Sequence, residues 1–314
     1  MNPTFALSIV IPVYNGARSI GPLVDALAGL KIDGGHEVVL VNDGSPDNSL
    51  EVCRAIAQRQ DIAVTVVNLS RNFGEHNAVM AGLAQARGGY IITMDDDLQN
   101  PPDEVTRLFE FARDQGRDVV YTYYDVKEHA AWRNLGSRFT NWCADHLLDK
   151  PKGLYLSSFR CLSAFVAKQV VLYGGPYPYV DGLILQVTQN IDRLRVDHLP
   201  RADGRSNYTI RRLIRLWLAM FLNFSVMPLR AATLLGLMIG GIGFLGVLVV
   251  LGEAIWRGGL PTGYASLMAS LLVVAGVQLV MLGVIGEYLG RMFLTANRKP
   301  QFIVRDVTLP PEGR

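Results

Sequence analysis

The segment YIITMDDDLQNPPDE, residues 90–104, runs an apolar stretch directly into three consecutive carboxylates and then into two prolines. YIITM reads as a buried β-strand. Pro101 and Pro102, followed by Asp103 and Glu104, read as a helix start, with proline in the first turn and acids at the positive end of the helix dipole. A strand, an acidic turn and a helix thus follow one another within fifteen residues. Asp95, Asp96 and Asp97 repel one another unless something positive sits among them, and their position at a strand end is where α/β sheets bind ligands.

The same unit recurs on both sides of this segment. Apolar runs appear at ALSIVI (6–11), EVVLVN (37–42), AVTVVN (63–68) and DVVYT (118–122), with helix-like stretches between them, such as 47–60. Continuous apolar strands alternating with helices predict a mostly parallel sheet covered on both faces. Polar clusters fall at the strand ends: PVYNG, NDGSPDNS, LSRNFGEH and DDDLQ. Beyond residue 125 the pattern weakens to a helix over 131–147, a short strand over 153–160, and a loop and helix over 176–190.

The chain has 314 residues and a mean hydropathy of +0.22, and its two ends differ in kind. Residues 1–204 carry 19 Lys and Arg against 24 Asp and Glu, whereas the remainder carries 11 against 4. Ala231–Gly252 and Gly258–Gly286 hold no charged residue, and about 20 apolar residues in helical form suffice to span a bilayer. Two transmembrane helices are predicted, at about 231–256 and 262–290, within residues 229–293. Arginines flank the outer ends of the pair and only Arg257 lies in the connection, which places both chain ends on the cytoplasmic side.

Ahead of the first span, Ile210, Leu213, Ile214, Trp217, Leu218 and Phe221 share one helical face, with Arg211, Arg212 and Arg215 opposite. Residues 205–228 are therefore read as an amphipathic helix at the membrane surface, residues 1–204 as a cytoplasmic domain and 294–314 as a cytoplasmic tail. Cys53, Cys143 and Cys161 are too few and too scattered for a disulfide framework or a zinc site. The N-terminal FALSIVIPV lacks a preceding Lys or Arg and is interrupted by Pro12, unlike a signal peptide.

Three readings compete for the acidic turn: a divalent metal bridging to a nucleotide diphosphate, a phosphorylated aspartate, or a capped turn. An Asp-x-Asp phosphatase places its motif after the first strand, whereas here it follows the fourth. Asp43, after the second strand, is placed to accept from a base or ribose, and Arg71 supplies a cation for a diphosphate. The metal–nucleotide reading accommodates all of these residues.

The segments IVIPVYNG, LVNDGSPDNS, LSRNFGEHNAVMAGL, YIITMDDDLQNPPDE, GRSNYTIRRLIRL and GVIGEYLGR, in that order, resemble the family-2 polyprenyl-phosphate glycosyltransferases. The resemblance implies a GT-A-type nucleotide-binding domain and a nucleotide-sugar donor, UDP-linked in the common bacterial case. It also implies a polyprenyl phosphate acceptor such as undecaprenyl phosphate, Mg²⁺ or Mn²⁺, the bacterial inner membrane and a homotetramer, with no nucleic acid partner. By motif, Pro12, Tyr14 and Asp43 would line the nucleoside pocket. Asp95 would contact the nucleotide, and Asp97 and Gln99 would hold the metal with it. Arg133, and Arg201 with Ser206, would face phosphates of donor or acceptor. The chain departs from the pattern at Gly16 (in place of Glu), Asp96 (in place of a small residue), Leu154 (in place of an Asp proposed as base) and Asn207 (in place of Lys). The alternative is a glycosyltransferase of the same fold acting on a hydroxyl acceptor, with Asp181 as the first candidate base.

Overall fold

The computed structural model describes residues 4–59, 61–124, 154–175, 178–197, 227–257, 263–297 and 300–311. It divides into two compact units, one formed by 1–214 with 298–314 and the other by 215–297.

The first unit is built on an eight-stranded sheet. Its strands are β1 (Phe5–Val13), β2 (His36–Asn42), β3 (Ala63–Leu69), β4 (Gly88–Thr93), β5 (Val119–Tyr123), β6 (Arg160–Ser163), β7 (Ile191–Arg195) and β8 (Val304–Thr308). They lie in the order β7-β5-β6-β4-β1-β2-β3-β8. The central four pair in parallel: β4 with β1, β1 with β2, and β2 with β3. Antiparallel pairing joins β6 to β4 and β5, and β8 to β3. The expected mostly parallel sheet is present.

Parallel neighbours need crossovers, and the helices supply them. These are α1 (Ile20–Ala28), α2 (Ser49–Ala57), α3 (Glu75–Gln85) and α4 (Pro102–Asp114), followed by α5 (Ala164–Val171) and α6 (Val180–Val187). Alternate strand residues point to opposite faces. Leu7, Ile9, Ile11, Val38, Leu40 and Val64 join one buried core with Ile20, Leu23 and Leu27 of α1, Cys53 and Ile56 of α2, and Val105, Leu108 and Phe109 of α4. On the other face α3 lies close to the strands. A β-carbon on its Gly82 would meet Cγ1 of Val10 at 2.3 Å, so only glycine permits this approach. Covering on both faces explains why the strands read as unbroken apolar runs.

The amino ends of the central strands are tied by a buried carboxylate. Glu37 accepts from the Ser8 hydroxyl at 2.7 Å and from the Arg87 guanidinium at 2.9 and 2.6 Å, while Ser8 Oγ also receives the Gly88 N–H at 2.7 Å. One residue from each of β1, β2 and β4 is thereby joined on the side away from the polar loops.

The C-terminal stretch differs from the expected tail. Val304–Thr308 is a strand that covers the β3 edge, with Asp306 accepting from Asn68 Nδ2 at 2.8 Å and Arg54 Nη2 at 2.7 Å. The short strand expected over 153–160 begins only at Arg160. The strand Ile191–Arg195, beside β5, was not anticipated.

The second unit holds two long helices, α7 (Met227–Arg257) and α8 (Tyr264–Ala296). Within α8, Val274–Ala296 is long and apolar enough to cross a membrane, whereas the apolar stretch of α7, Ala232–Gly246, is shorter than that among the described residues. Leu234, Leu237, Ile242, Phe244 and Leu245 of α7 are exposed, as are Leu279, Val280, Leu282 and Leu289 of α8. The amphipathic helix expected over 205–228 lies almost wholly outside the described residues.

Removing the Glu37 carboxylate leaves Ser8 and Arg87 without their shared acceptor. Glu37→Ala is expected to cost about 3 kcal/mol of stability, the upper range for hydrogen bonds to a charged group. Thermal unfolding by circular dichroism reads this loss, and nucleotide affinity should stay within about twofold because the lesion lies at the far end of the strands.

Candidate active site

The parallel order β4-β1-β2-β3 sends four successive strand ends out of one edge of the sheet, and all four polar motifs emerge there. The polar motifs lie at the strand ends, as the sequence predicted.

The loops are knitted to one another by side chains. After β1 the chain turns through Asn15, which adopts a left-handed φ of 58°. The N–H groups of Asn15 and Gly16 donate to Ser45 Oγ at 3.3 Å and Ser49 Oγ at 3.0 Å. The Ala17 N–H donates to Asp47 at 3.4 Å. Burial would raise the Asp47 carboxyl, but donation from Ser49 and Ala17 outweighs it and holds the group below its ordinary range. Much of NDGSPDNS thus holds the PVYNG loop.

Asp43 is buried and accepts the backbone N–H groups of Phe73 at 2.7 Å and Gly74 at 2.9 Å. Burial pushes its carboxyl up, against the opposing pull of those two donors. The predicted nucleoside residue is therefore also the clamp on the RNFG loop. Gly44 makes the clamp possible. Its φ is +61°, and a β-carbon there would lie 2.4 Å from the Arg71 carbonyl carbon. Arg71 itself is exposed, its guanidinium 4.7 Å from the Phe73 ring centroid. Of the other nucleoside candidates, Tyr14 is half exposed and Pro12 sits in register with Val41.

The three acids of the β4 turn are drawn in three directions. Asp95 accepts from the Ser158 hydroxyl at 2.7 Å. Asp97 accepts the Gln99 N–H at 3.2 Å across a turn in which Leu98 holds a left-handed φ of 60°, an uncommon state for a bulky residue. Asp96 reaches toward Gly16. Three carboxylates in sequence do not form one cluster in space. Among the described residues no group of three or more His, Cys, Asp or Glu side chains is placed to hold a metal ion. The candidate set is Asp95, Asp97 and Gln99, all hard oxygen donors on one turn, which is the ligand chemistry of Mg²⁺ or Mn²⁺.

Sequence reasoning missed Ser158 and Arg160. Ser158 binds Asp95 through its hydroxyl and the Thr93 hydroxyl through its carbonyl, at 2.6 Å. Arg160, nearly fully buried, pairs with the buried Asp181, which also accepts from Tyr121 Oη at 2.9 Å. Burial opposes the Arg160 charge, yet Asp181 and Tyr121 hold its pKa above the ordinary value. Desolvation keeps the neighbouring His76 imidazole below its usual pKa. The polar doublet in SSFR, directly before a strand, was the available signal. Leu154 is 6% exposed, and Arg133, Arg201, Ser206 and Asn207 lie outside the described residues.

The domain is a mostly parallel, GT-A-like α/β fold, and residues 8–172 match "Glycosyl transferase family 2". The chain belongs to that family. It is 35% identical over 309 residues to an undecaprenyl-phosphate 4-deoxy-4-formamido-L-arabinose transferase of Pseudomonas aeruginosa strain LESB58, covering 97% of this chain and 91% of the relative. The enzyme of that description from Yersinia pestis strain Pestoides F is 34% identical over 312 residues, covering 97% and 94%. A distant structural likeness is glucosyl-3-phosphoglycerate synthase of Mycobacterium tuberculosis in complex with Mn²⁺, UDP-glucose and phosphoglyceric acid, at 19% identity and a TM-score of 0.49, covering 69% of this chain and 79% of that one.

Gly44→Ala forces either a strained backbone or displacement of Arg71 and Asn72. The expected result is at least about a tenfold loss in catalytic efficiency, from a backbone cost of roughly 1–3 kcal/mol carried by the RNFG loop. Steady-state kinetics against donor concentration measure it.

Proposed function

We propose that this protein moves a sugar from a nucleotide sugar, UDP-linked, to a polyprenyl phosphate, undecaprenyl phosphate, at the cytoplasmic face of a bacterial inner membrane. The curated relatives that match 97% of the chain carry names stating that acceptor. The observation that carries the acceptor class is the state of Asp181. A hydroxyl nucleophile must lose its proton as it attacks, so it needs a base. Asp181, the candidate for that role, is buried and committed to Arg160 and Tyr121. A phosphate acceptor needs no such base. Its second pKa lies near 6, so at neutral pH most of it is already a dianion.

In this reading the loops after β1, β2 and β3 hold the nucleoside through Pro12, Tyr14 and Asp43, and Arg71 faces the diphosphate. Asp95, Asp97 and Gln99 would hold Mg²⁺ or Mn²⁺, which would offset negative charge on the departing diphosphate. Ser158 orients Asp95 through its 2.7 Å hydrogen bond. Arg133, Arg201 and Ser206, assigned by resemblance, position the acceptor phosphate. It attacks the anomeric carbon from the face opposite the leaving group, with inversion.

The reading of two membrane spans is supported by the apolar Val274–Ala296 of α8 and by the exposed apolar residues along α7. The three arginines of 205–228 fit an anionic headgroup layer, each worth roughly 1 kcal/mol there. A homotetramer belongs to the same proposal and is read by light scattering in detergent.

The test is an assay of purified protein with undecaprenyl phosphate and a panel of radiolabelled nucleotide sugars. Transfer should stop in excess EDTA, and Asp97→Asn should lower the rate on the order of 10²–10³, the usual effect of lost electrostatic stabilisation. The rate should fall on the acid side near pH 6, as the acceptor monoester takes up its second proton. Transfer to hydroxyl acceptors alone, or full turnover in EDTA, overturns the assignment.

A further inference from the structure

Gly16 and Asp96, two positions where the chain departs from the family pattern, meet in the structure. The Gly16 backbone is fixed from both sides. Its N–H donates to Ser49 Oγ at 3.0 Å in a buried hydrogen bond, and its carbonyl receives the N–H groups of Ser19 at 3.1 Å and Ile20 at 3.0 Å at the start of α1. A β-carbon placed on Gly16 would lie 2.0 Å from Oδ2 of Asp96, 3.1 Å from its Cγ and 3.0 Å from Cγ1 of Val13. Such a separation from Oδ2 is far inside van der Waals contact, so one of the two groups must give way. Oδ2 is itself shielded from solvent, which marks the contact as interior rather than a chance approach of a surface side chain. The Cys53 thiol of α2 is raised to about 12, first by burial and then by the charges of Asp96 and Asp47. Asp96 therefore lies against Gly16 of the PVYNG loop, while Asp95 turns to Ser158 and Asp97 to Gln99.

We propose that Asp96 is a positioning residue and not a metal ligand: it occupies the volume that a side chain at position 16 would take, and so locks the acidic turn after β4 against the nucleoside loop after β1. Positions 16 and 96 have room for one side chain between them. This assignment rests on the donor-site reading for its purpose, though not for its geometry. It leaves Asp95 and Asp97 as the carboxylates facing the donor, and it makes the two departures a single change in packing. The kinetic consequence follows from placement. Loss of Asp96 loosens the donor loop before chemistry, so it should act on KM more than on kcat.

The experiment is a double-mutant cycle on the full chain in detergent: Gly16→Ala, Asp96→Ala and the pair together. Thermal unfolding tests the shared volume without any assumption about activity. Gly16→Ala should lower the midpoint clearly, and adding Asp96→Ala should recover most of that loss, because contacting residues are non-additive. If Gly16→Ala fails to accumulate, accumulation of the double variant is the same result. Additive midpoints, or failure of both to accumulate, overturn the shared-volume assignment. The second arm titrates Mn²⁺ into protein with UDP. Asp96→Asn keeps the volume and should bind Mn²⁺ within about twofold of the native chain, whereas Asp97→Asn should weaken it by tenfold or more, as loss of a ligand does. Equal weakening by both makes Asp96 a ligand and overturns the proposal. If the native chain binds no Mn²⁺ with UDP, the donor-site reading fails while the thermal cycle still decides the packing claim. In transfer assays Asp96→Ala should raise the donor KM by about tenfold with kcat within about threefold. A loss confined to kcat overturns the positioning role.

Discussion

Two strands that hydrogen-bond in parallel cannot be joined by a tight turn; the chain must cross the sheet and enter again at the same edge. Everything functional here depends on that constraint. With β4, β1, β2 and β3 adjacent and parallel, four segments far apart in sequence leave the sheet side by side. The connecting helices take the opposite direction and bury the strand faces, so the strands can be wholly apolar while the exit edge is polar. The division of labour between amino and carboxyl ends is visible in the buried acids. Glu37 joins strands at the amino side, and Asp43 holds the RNFG loop at the carboxyl side.

Buried charge is costly unless paired and hydrogen-bonded, and three buried carboxylates among the described residues meet that condition in different ways. Glu37 has Arg87 and Ser8; Asp181 has Arg160 and Tyr121; Asp43 has two backbone N–H groups in place of a cation. The last arrangement shows how two backbone donors can hold a carboxylate between two loops. The acidic turn uses a different solution. Its three carboxylates take different contacts: Asp95 accepts from Ser158, Asp96 lies against Gly16 and Asp97 accepts from the Gln99 N–H.

The sheet was legible in the sequence because its strands carry local signals. The runs 6–11, 37–42, 63–68 and 118–122 all lie within or within a residue of the strands found, and the helix read over 47–60 contains Ser49–Ala57. The gathering of the polar motifs at one edge followed from the same periodicity. What stayed hidden depends on contacts distant in sequence. Val304–Thr308 is five residues of alternating character, and its place beside β3 is set by Asn68 and Arg54 some 240 residues earlier, which no local pattern reports. Ser158 matters only because β6 runs antiparallel to β4 and brings it beside Asp95. Asp43 was read as a ligand contact from its strand-end position; its grip on Phe73 and Gly74 required coordinates.

The β3–β8 pairing has a consequence for biosynthesis. Ribosomes deliver the chain from its amino end, and domains begin to fold as they emerge. Strands β1 to β7 are complete long before residues 304–308 exist, because α7 and α8 must be synthesised in between. Throughout that interval β3 is the rim of the sheet, with one row of backbone N–H and C=O groups unpaired and apolar Val64, Val66 and Val67 beside them. An open rim of this kind is a template for pairing with other chains. The nascent protein therefore passes through a stage in which its catalytic unit is nearly built but adhesive, and β8, translated after α7 and α8, is the strand that closes it.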